Sequence, residues 1–287
     1  MPIYDKSGSL LSNVYGISGN SLLSAYDIDG NDVFNSVDVD YTKYSFTQKW
    51  ASKGISNTQG FDIYDEKVFW VSKSGNSSIP ANCYVWNLSD GSQALSSAYI
   101  TIYSGHGNNL CFVFPTLYAT SAYTPNAYVN TMTNEFVTSL SKTLAFDDGC
   151  VDCDACVDEN DDTILWTLGH TGYNAGDPFL ISKWDLSELT DNGGDTYTPK
   201  KLKTISISSP SNRYFQGLKH HDNLLWYGNG NGGVPSYIRG VDPNTGTEEY
   251  VIDLSTTTEV EGLAWVGNTL YVGFAGMMLR EYTFAPL

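Results

Sequence analysis

QGFDIYDEKVFWVS, residues 59–72, sets a polar residue before a glycine, Gln59-Gly60, then runs through a short apolar segment, a charged turn and a second apolar segment, VFWV. The same order recurs at His106-Gly107, Asp148-Gly149, Gln216-Gly217 and Glu261-Gly262, followed by LYAT from Leu117, ILWTL from Ile164, LLWYG from Leu224 and LYVGF from Leu270. Successive glycines lie 47, 42, 68 and 45 residues apart. Short strands recurring at about 40–50 residues are the signature of propeller blades. The long third interval contains the loops DENDD (158–162) and TDNGGDTYTPKK (190–201), which can absorb the excess without a further blade.

Each blade needs four strands, the innermost first. In the first unit these read as 61–64, 68–72, 83–88 and 98–103, with a turn at Ser89-Asp90-Gly91-Ser92. In the fourth they read as 217–219, 224–227, 237–241 and 249–254, with a turn at 242–246. The last unit, EGLAWVGNTLYVGFAGMMLREYTF (261–284), supplies only three strands. The alternating segment KYSFTQKW (43–50) can supply the missing outer strand and leave no open edge between first and last blades. The expectation is an all-β chain: a five-bladed β-propeller over residues 41–287, closed by an N-terminal outer strand and preceded by a β-repeat arm over residues 1–40.

Composition agrees with strands and turns. Twenty Tyr, twelve Phe and seven Trp accompany 27 Gly, and no long stretch keeps a helical period. A formal charge of −17 repels phosphate backbones and anionic lipid, so neither nucleic acid nor membrane is an expected partner. No apolar run reaches the ~20 residues a membrane span needs, and MPIYDKSGSLL lacks the pattern of a signal peptide. Five cysteines, three of them at Cys150, Cys153 and Cys156, do not form an even disulfide framework and suggest synthesis in a reducing cytoplasm.

In the arm, Tyr4, Tyr15 and Tyr26 each head a variant of Y-D-x-x-G-x-x-L: YDKSGSLLSNV, YGISGNSLLSA and YDIDGNDVFNS. Units this small cannot bury a core and must pack on a neighbour. The tandem repeats resemble the N-terminal segments of tail and receptor-binding proteins of bacteriophages that infect gut bacteria. The resemblance covers about 40 residues. It implies a virion location, attachment to other virion proteins through residues 1–40, and the homotrimeric state common among such proteins.

Antiparallel order brings the start of each first strand and the end of each second strand to one face. That rings one channel mouth with Gln59, His106, Asp148, Gln216 and Glu261. The loops after the second strands add Ser74 and Asn76, Thr120 and Tyr123, His170 and Tyr173, Asn229 and Asn231, and Gly276 with Met277; Arg213 and Tyr214 precede Gln216. Amides, hydroxyls, carboxylates and aromatic faces suit a sugar, so a host-surface glycan is the expected ligand. Such polar residues also bond their own turns in purely structural propellers. For catalysis, Asp148 and Glu261 form the candidate carboxylate pair, with Asp147 as a substitute and His106 as an alternative base. Binding is favoured over catalysis, because the acid triad of arabinanase-like five-bladed glycosidases is not found.

The acidic stretch DDGCVDCDACVDENDD (147–162) has metal-ligand chemistry without metal-site spacing. In a strand Cys150, Asp152, Asp154 and Cys156 point one way and Cys153 the other, so the reading is buried free thiols. Residues 158–162 carry carboxylates suited to calcium but lack a complete loop pattern, and DIDGND (27–32) reads as a turn. No cofactor and no metal is expected.

Overall fold

The computed structural model describes residues 39–72, 80–121, 123–174, 176–208, 214–230 and 232–286. Nearly all of the arm lies outside these residues, as do Ser74, Asn76, Arg213 and Asn231. The described residues form twenty β-strands and no α-helix. None of them forms a helix long and apolar enough to cross a membrane.

The chain enters through β1 (Val39–Trp50). Next, β2 (Thr58–Tyr64), β3 (Lys67–Ser72), β4 (Ala81–Asn87) and β5 (Ile100–Ile102) pair in sequence order as an antiparallel sheet. The same meander is made by β6 (Leu110–Val113), β7 (Thr116–Thr120), β8 (Asn126–Met132) and β9 (Thr138–Ala145). It is made again by β10 (Asp152–Asp158), β11 (Asp161–His170), β12 (Phe179–Gly193) and β13 (Thr196–Ile207). A two-residue parallel contact, Thr196 with Thr143 and Tyr197 with Leu144, joins these last two meanders into one eight-stranded sheet. A further sheet runs β14 (Phe215–His221), β15 (Leu224–Asn229), β16 (Tyr237–Val241), β17 (Glu248–Asp253). Finally β18 (Val260–Val266), β19 (Thr269–Phe274) and β20 (Met278–Pro286) pair in order, and β1 joins them along β20.

Chain closure follows the alternating segment. β1 runs antiparallel to β20 from Val39 opposite Pro286 to Trp50 opposite Leu279, so the last sheet joins residues from both ends of the described chain. Tyr41 fixes the junction: its ring packs on Trp226, Tyr250, Trp265 and Phe284, and its hydroxyl donates to Asp222. The excess of the third interval lies in the long β12–β13 hairpin of 15 and 12 residues. The outer strand β5 is shorter than residues 98–103, because Gln93 pairs with Trp86 and its amide donates to Leu95 and Ser97 carbonyls, holding the preceding chain in a loop.

The first strands of the meanders lie side by side: β2 contacts β6, β6 contacts β10, β10 contacts β14, β14 contacts β18, and β18 returns to β2. Apolar layers fill the wedges between sheets. Phe61 stacks on Trp70 against Gly273, where an added Cβ would come within 2.6 Å of the Phe61 ring. All five cysteines are buried free thiols, and burial raises Cys153 and Cys156 well above the ordinary thiol range.

Candidate functional site

Three inner strands carry the polar-glycine pair at a break in register. The ladder slips between Thr58 and Phe61, between Gln216 and Leu218, and between Val260 and Gly262. A bulge bends the strand and re-aims its side chains, here at the mouth of the ring. The glycines answer to crowding at the axis. A Cβ on Gly217 would lie 2.7 Å from the Gly262 Cα, and Gly217 also holds φ 76°, a left-handed backbone.

The other two pairs differ. Gly107 and Gly149 lie ahead of β6 and β10 in left-handed turns, not in the strands. In those meanders side chains fill the axis. Asn109 Nδ2 donates to the carbonyls of Ala155 and Leu218, at 2.8 and 3.0 Å. Asp154 accepts from Thr120 Oγ1 at 3.0 Å and from the Gly217 N–H at 2.9 Å. Burial pushes the Asp154 carboxyl up to about 7, against the Thr120 bond that favours its charged form. Deeper still, Lys219 pairs with Asp62 at 2.8 Å, and Asp62 accepts from the Phe112 N–H. The channel is therefore plugged below its mouth by paired polar groups.

Above the plug lies a cavity of about 540 Å³. Gln59, His106, Tyr123, His170, Tyr173, Tyr214, Gln216, Glu261 and Gly276 of the sequence-derived set line it. Asp148 does not: its carboxylate accepts from Ser182 at 2.7 Å and from the Cys150 N–H at 3.1 Å. The structure therefore does not bring Asp148 and Glu261 together in one cavity. Asp147 borders a separate groove beside the β12–β13 hairpin. Thr120 belongs to the plug, Met277 is buried beside Trp50, and Asn229 sits behind the wall, where its amide donates to the Tyr214 carbonyl. Among the described residues no group of three or more His, Cys, Asp or Glu could hold a metal ion. The carboxylates of Asp158 and Asp161 instead cap their own turn.

Asp152, Asn108, Thr58, Phe215 and Glu259 also line the cavity, outside the ring of polar-glycine pairs and the loops read from the sequence. Asp152 was legible in the strand alternation of the acidic segment, which puts it on the same side as Asp154. It accepts from His170 Nδ1 at 2.7 Å and from the Tyr173 hydroxyl at 2.9 Å. A carboxylate on Nδ1 fixes that nitrogen as the donor and leaves Nε2 the basic one in neutral imidazole. The His170 ring stacks on Phe215, with centroids 4.5 Å apart.

On the opposite wall Thr58 Oγ1 donates to Glu261 Oε1 at 3.1 Å, while Gln216 Nε2 donates to Glu259. Burial pushes Glu261 up to about 8, Glu259 adds to the rise, and the bond from Thr58 opposes it. At neutral pH this surrounding favours a neutral Glu261. Tyr123, Tyr173 and Tyr214 stand exposed at the rim. Tyr123 holds φ 70°, a strained backbone for a bulky residue, with its ring edge-on to His106.

No protein-family model and no curated protein matches the chain. Solved structures do resemble it. The glutaminyl cyclase of Myxococcus xanthus superposes with a TM-score of 0.57 over 85% of this chain and 97% of the other, at 11% identity. A nidogen/laminin complex gives 0.44 at 14% identity, covering 77% and 73%, and the WD40 β-propeller domain of Doa1 gives 0.42 at 13%, covering 83% and 97%. At such identity the likeness to the cyclase concerns fold alone. Together with the sheet order, it makes the chain similar in fold to known β-propellers.

Proposed function

We propose that this chain is a five-bladed β-propeller of a bacteriophage virion, a tail-associated adhesion protein that binds a host-surface carbohydrate at the channel mouth. The five meanders support the blade count, with β1 as the outer strand of the last. The tandem repeats of residues 1–40 support the virion assignment by resemblance, with that arm as the attachment to other virion proteins.

One observation carries the binding reading: exposed rings of Tyr123, Tyr173 and Tyr214 surround a floor of amides and carboxyls over a plugged channel. Aromatic faces accept the C–H face of a sugar, and the floor meets its hydroxyls. The test is binding of the purified chain to a glycan array and to intact host cells. Retention of a defined glycan set supports the reading, and binding to neither leaves a purely structural virion protein.

A second reading, cleavage of a surface polysaccharide, is favoured by a different observation. His170, oriented by Asp152, is a candidate base, and the neutral Glu261 is a candidate acid in the same cavity. If the wild-type protein shortens the polysaccharide and Asp152→Asn stops cleavage while binding persists, the enzyme reading replaces simple adhesion.

A further inference from the structure

At the face opposite the mouth, one imidazole ties two neighbouring inner strands. β10 and β14 begin at the cavity, with Asp152 and Phe215 in its lining, and end at Asp158 and His221. His220 is buried there, its ring stacked on Trp166. Its Nδ1 accepts the Glu159 N–H at 3.2 Å, which in neutral imidazole leaves the proton on Nε2. The same Nδ1 lies 3.4 Å from Asp158 Oδ1. A ring nitrogen cannot accept and donate at once, so protonation of Nδ1 exchanges the bond from Glu159 for one to Asp158.

Glu159 carries that exchange outward. Its Oε2 accepts from His221 Nδ1 at 3.0 Å, and its Oε1 accepts from the Asp222 N–H. Asp222 Oδ2 in turn accepts from the hydroxyl of Tyr41 at 3.1 Å, where β1 closes the ring. One path of hydrogen bonds therefore runs from His220 through Glu159 and Asp222 to the closure strand. Among the described residues, the titratable and charged groups around His220 are Asp158 and Glu159 from the β10–β11 turn, Cys156 from β10, Lys183 from β12 and His221 from its own strand. Burial lowers His220 below the ordinary imidazole range, and the carboxylates of Asp158 and Glu159 oppose that fall. His221 keeps its bond to Glu159 in either charge state, because the proton on its Nδ1 faces the carboxylate. His220 is the imidazole whose bonding changes with pH.

We propose that His220 is an acid-sensitive latch: protonation breaks its hold on Glu159 and, through Asp222 and Tyr41, loosens the N-terminal half of β1, which follows the arm directly in sequence. The folded chain keeps His220 neutral more strongly than an unfolded one does. Its contribution is therefore full above about pH 6.5 and is lost as pH falls through the lower folded value. Glu261 and Asp154, both raised, act in the opposite sense. The latch is independent of what the mouth binds.

Amide hydrogen exchange of the full chain, read by mass spectrometry at about pH 7.5 and about pH 5 and corrected for the intrinsic rate at each, tests it. In wild type the protection of residues 39–46 is expected to fall about tenfold or more at the lower pH, while β3 changes by less than about threefold. His220→Asn sets an amide oxygen where Nδ1 stood and takes up no proton, so its residues 39–46 are expected to change by less than about threefold. Tyr41→Phe cuts the path at its last bond and is expected to leave residues 39–46 equally exposed at both pH values, which keeps the test if His220→Asn fails to fold. Equal wild-type protection at the two pH values overturns the latch, as does an acid-dependent loss that persists in His220→Asn or in Tyr41→Phe. A loss shared equally by β1 and β3 is global unfolding and overturns it too.

Discussion

The backbone N–H of Gly217 donates to Asp154 Oδ2 at 2.9 Å, so a carboxyl from β10 caps the bulge of β14 on the axis of the ring. The bond joins neighbouring inner strands just below the ligand cavity, and Thr120 occupies the second carboxyl oxygen. Asp154→Ala removes both acceptors and leaves the Gly217 N–H buried and unpaired. The expected loss is about 2–4 kcal/mol of unfolding free energy in urea titration. Asp154→Asn retains one acceptor and is expected to lose less. An Asp154→Ala protein as stable as wild type would mean that the plug does not hold the ring.

Glu261 gives a pH signature. Its carboxyl titrates near 8 in the folded chain, against about 4.3 in an unfolded one. Between these values the folded state holds the proton and the unfolded state releases it, so this group's contribution is fully present below about pH 4 and falls as pH rises toward about 8. Asp154, pushed up to about 7, acts in the same direction over a narrower window. Glu261→Gln removes one of the two contributions. Between about pH 5 and pH 8 the variant is expected to lose less thermal stability than wild type, measured as Tm at several pH values. Parallel Tm curves would show that Glu261 ionises normally in the fold.

Tyr41 carries the closure of the ring. Tyr41→Phe deletes only the bond to Asp222 and is expected to cost about 1 kcal/mol. Tyr41→Ala also empties a pocket between four rings and is expected to cost about 3–5 kcal/mol, with β20 left prone to edge pairing and aggregation. Chemical denaturation and light scattering read the two effects separately. Equal stability of the two variants would assign closure to the strand hydrogen bonds alone.

The strands of this fold were legible where sequence and packing impose one pattern. The apolar run of β3 and the alternation of residues 43–50 lie where the sequence puts them. At the mouth, Gln59, Gln216 and Glu261 were legible because their glycines sit at bulges where the strands crowd the axis. His106-Gly107 and Asp148-Gly149 look identical in sequence, yet their glycines serve turns. His106 still reaches the cavity from its loop, whereas Asp148 turns to Ser182. Asp152 and Asn108 take part instead. A dipeptide does not distinguish a glycine required by a close approach from one required by a left-handed turn, because only the neighbouring strand decides which constraint acts.

The central claim is that the tyrosine-rimmed cavity binds sugar, and one titration tests it most directly. A glycan selected on the array is titrated into wild-type protein and into Tyr214→Ala, whose side chain is exposed at the rim. The prediction is saturable binding to wild type and about a tenfold loss of affinity in Tyr214→Ala, or ~1.4 kcal/mol, with Tm unchanged. Unchanged affinity in Tyr214→Ala, and likewise in Tyr173→Ala and Tyr123→Ala, would contradict the assignment of the mouth as the binding site.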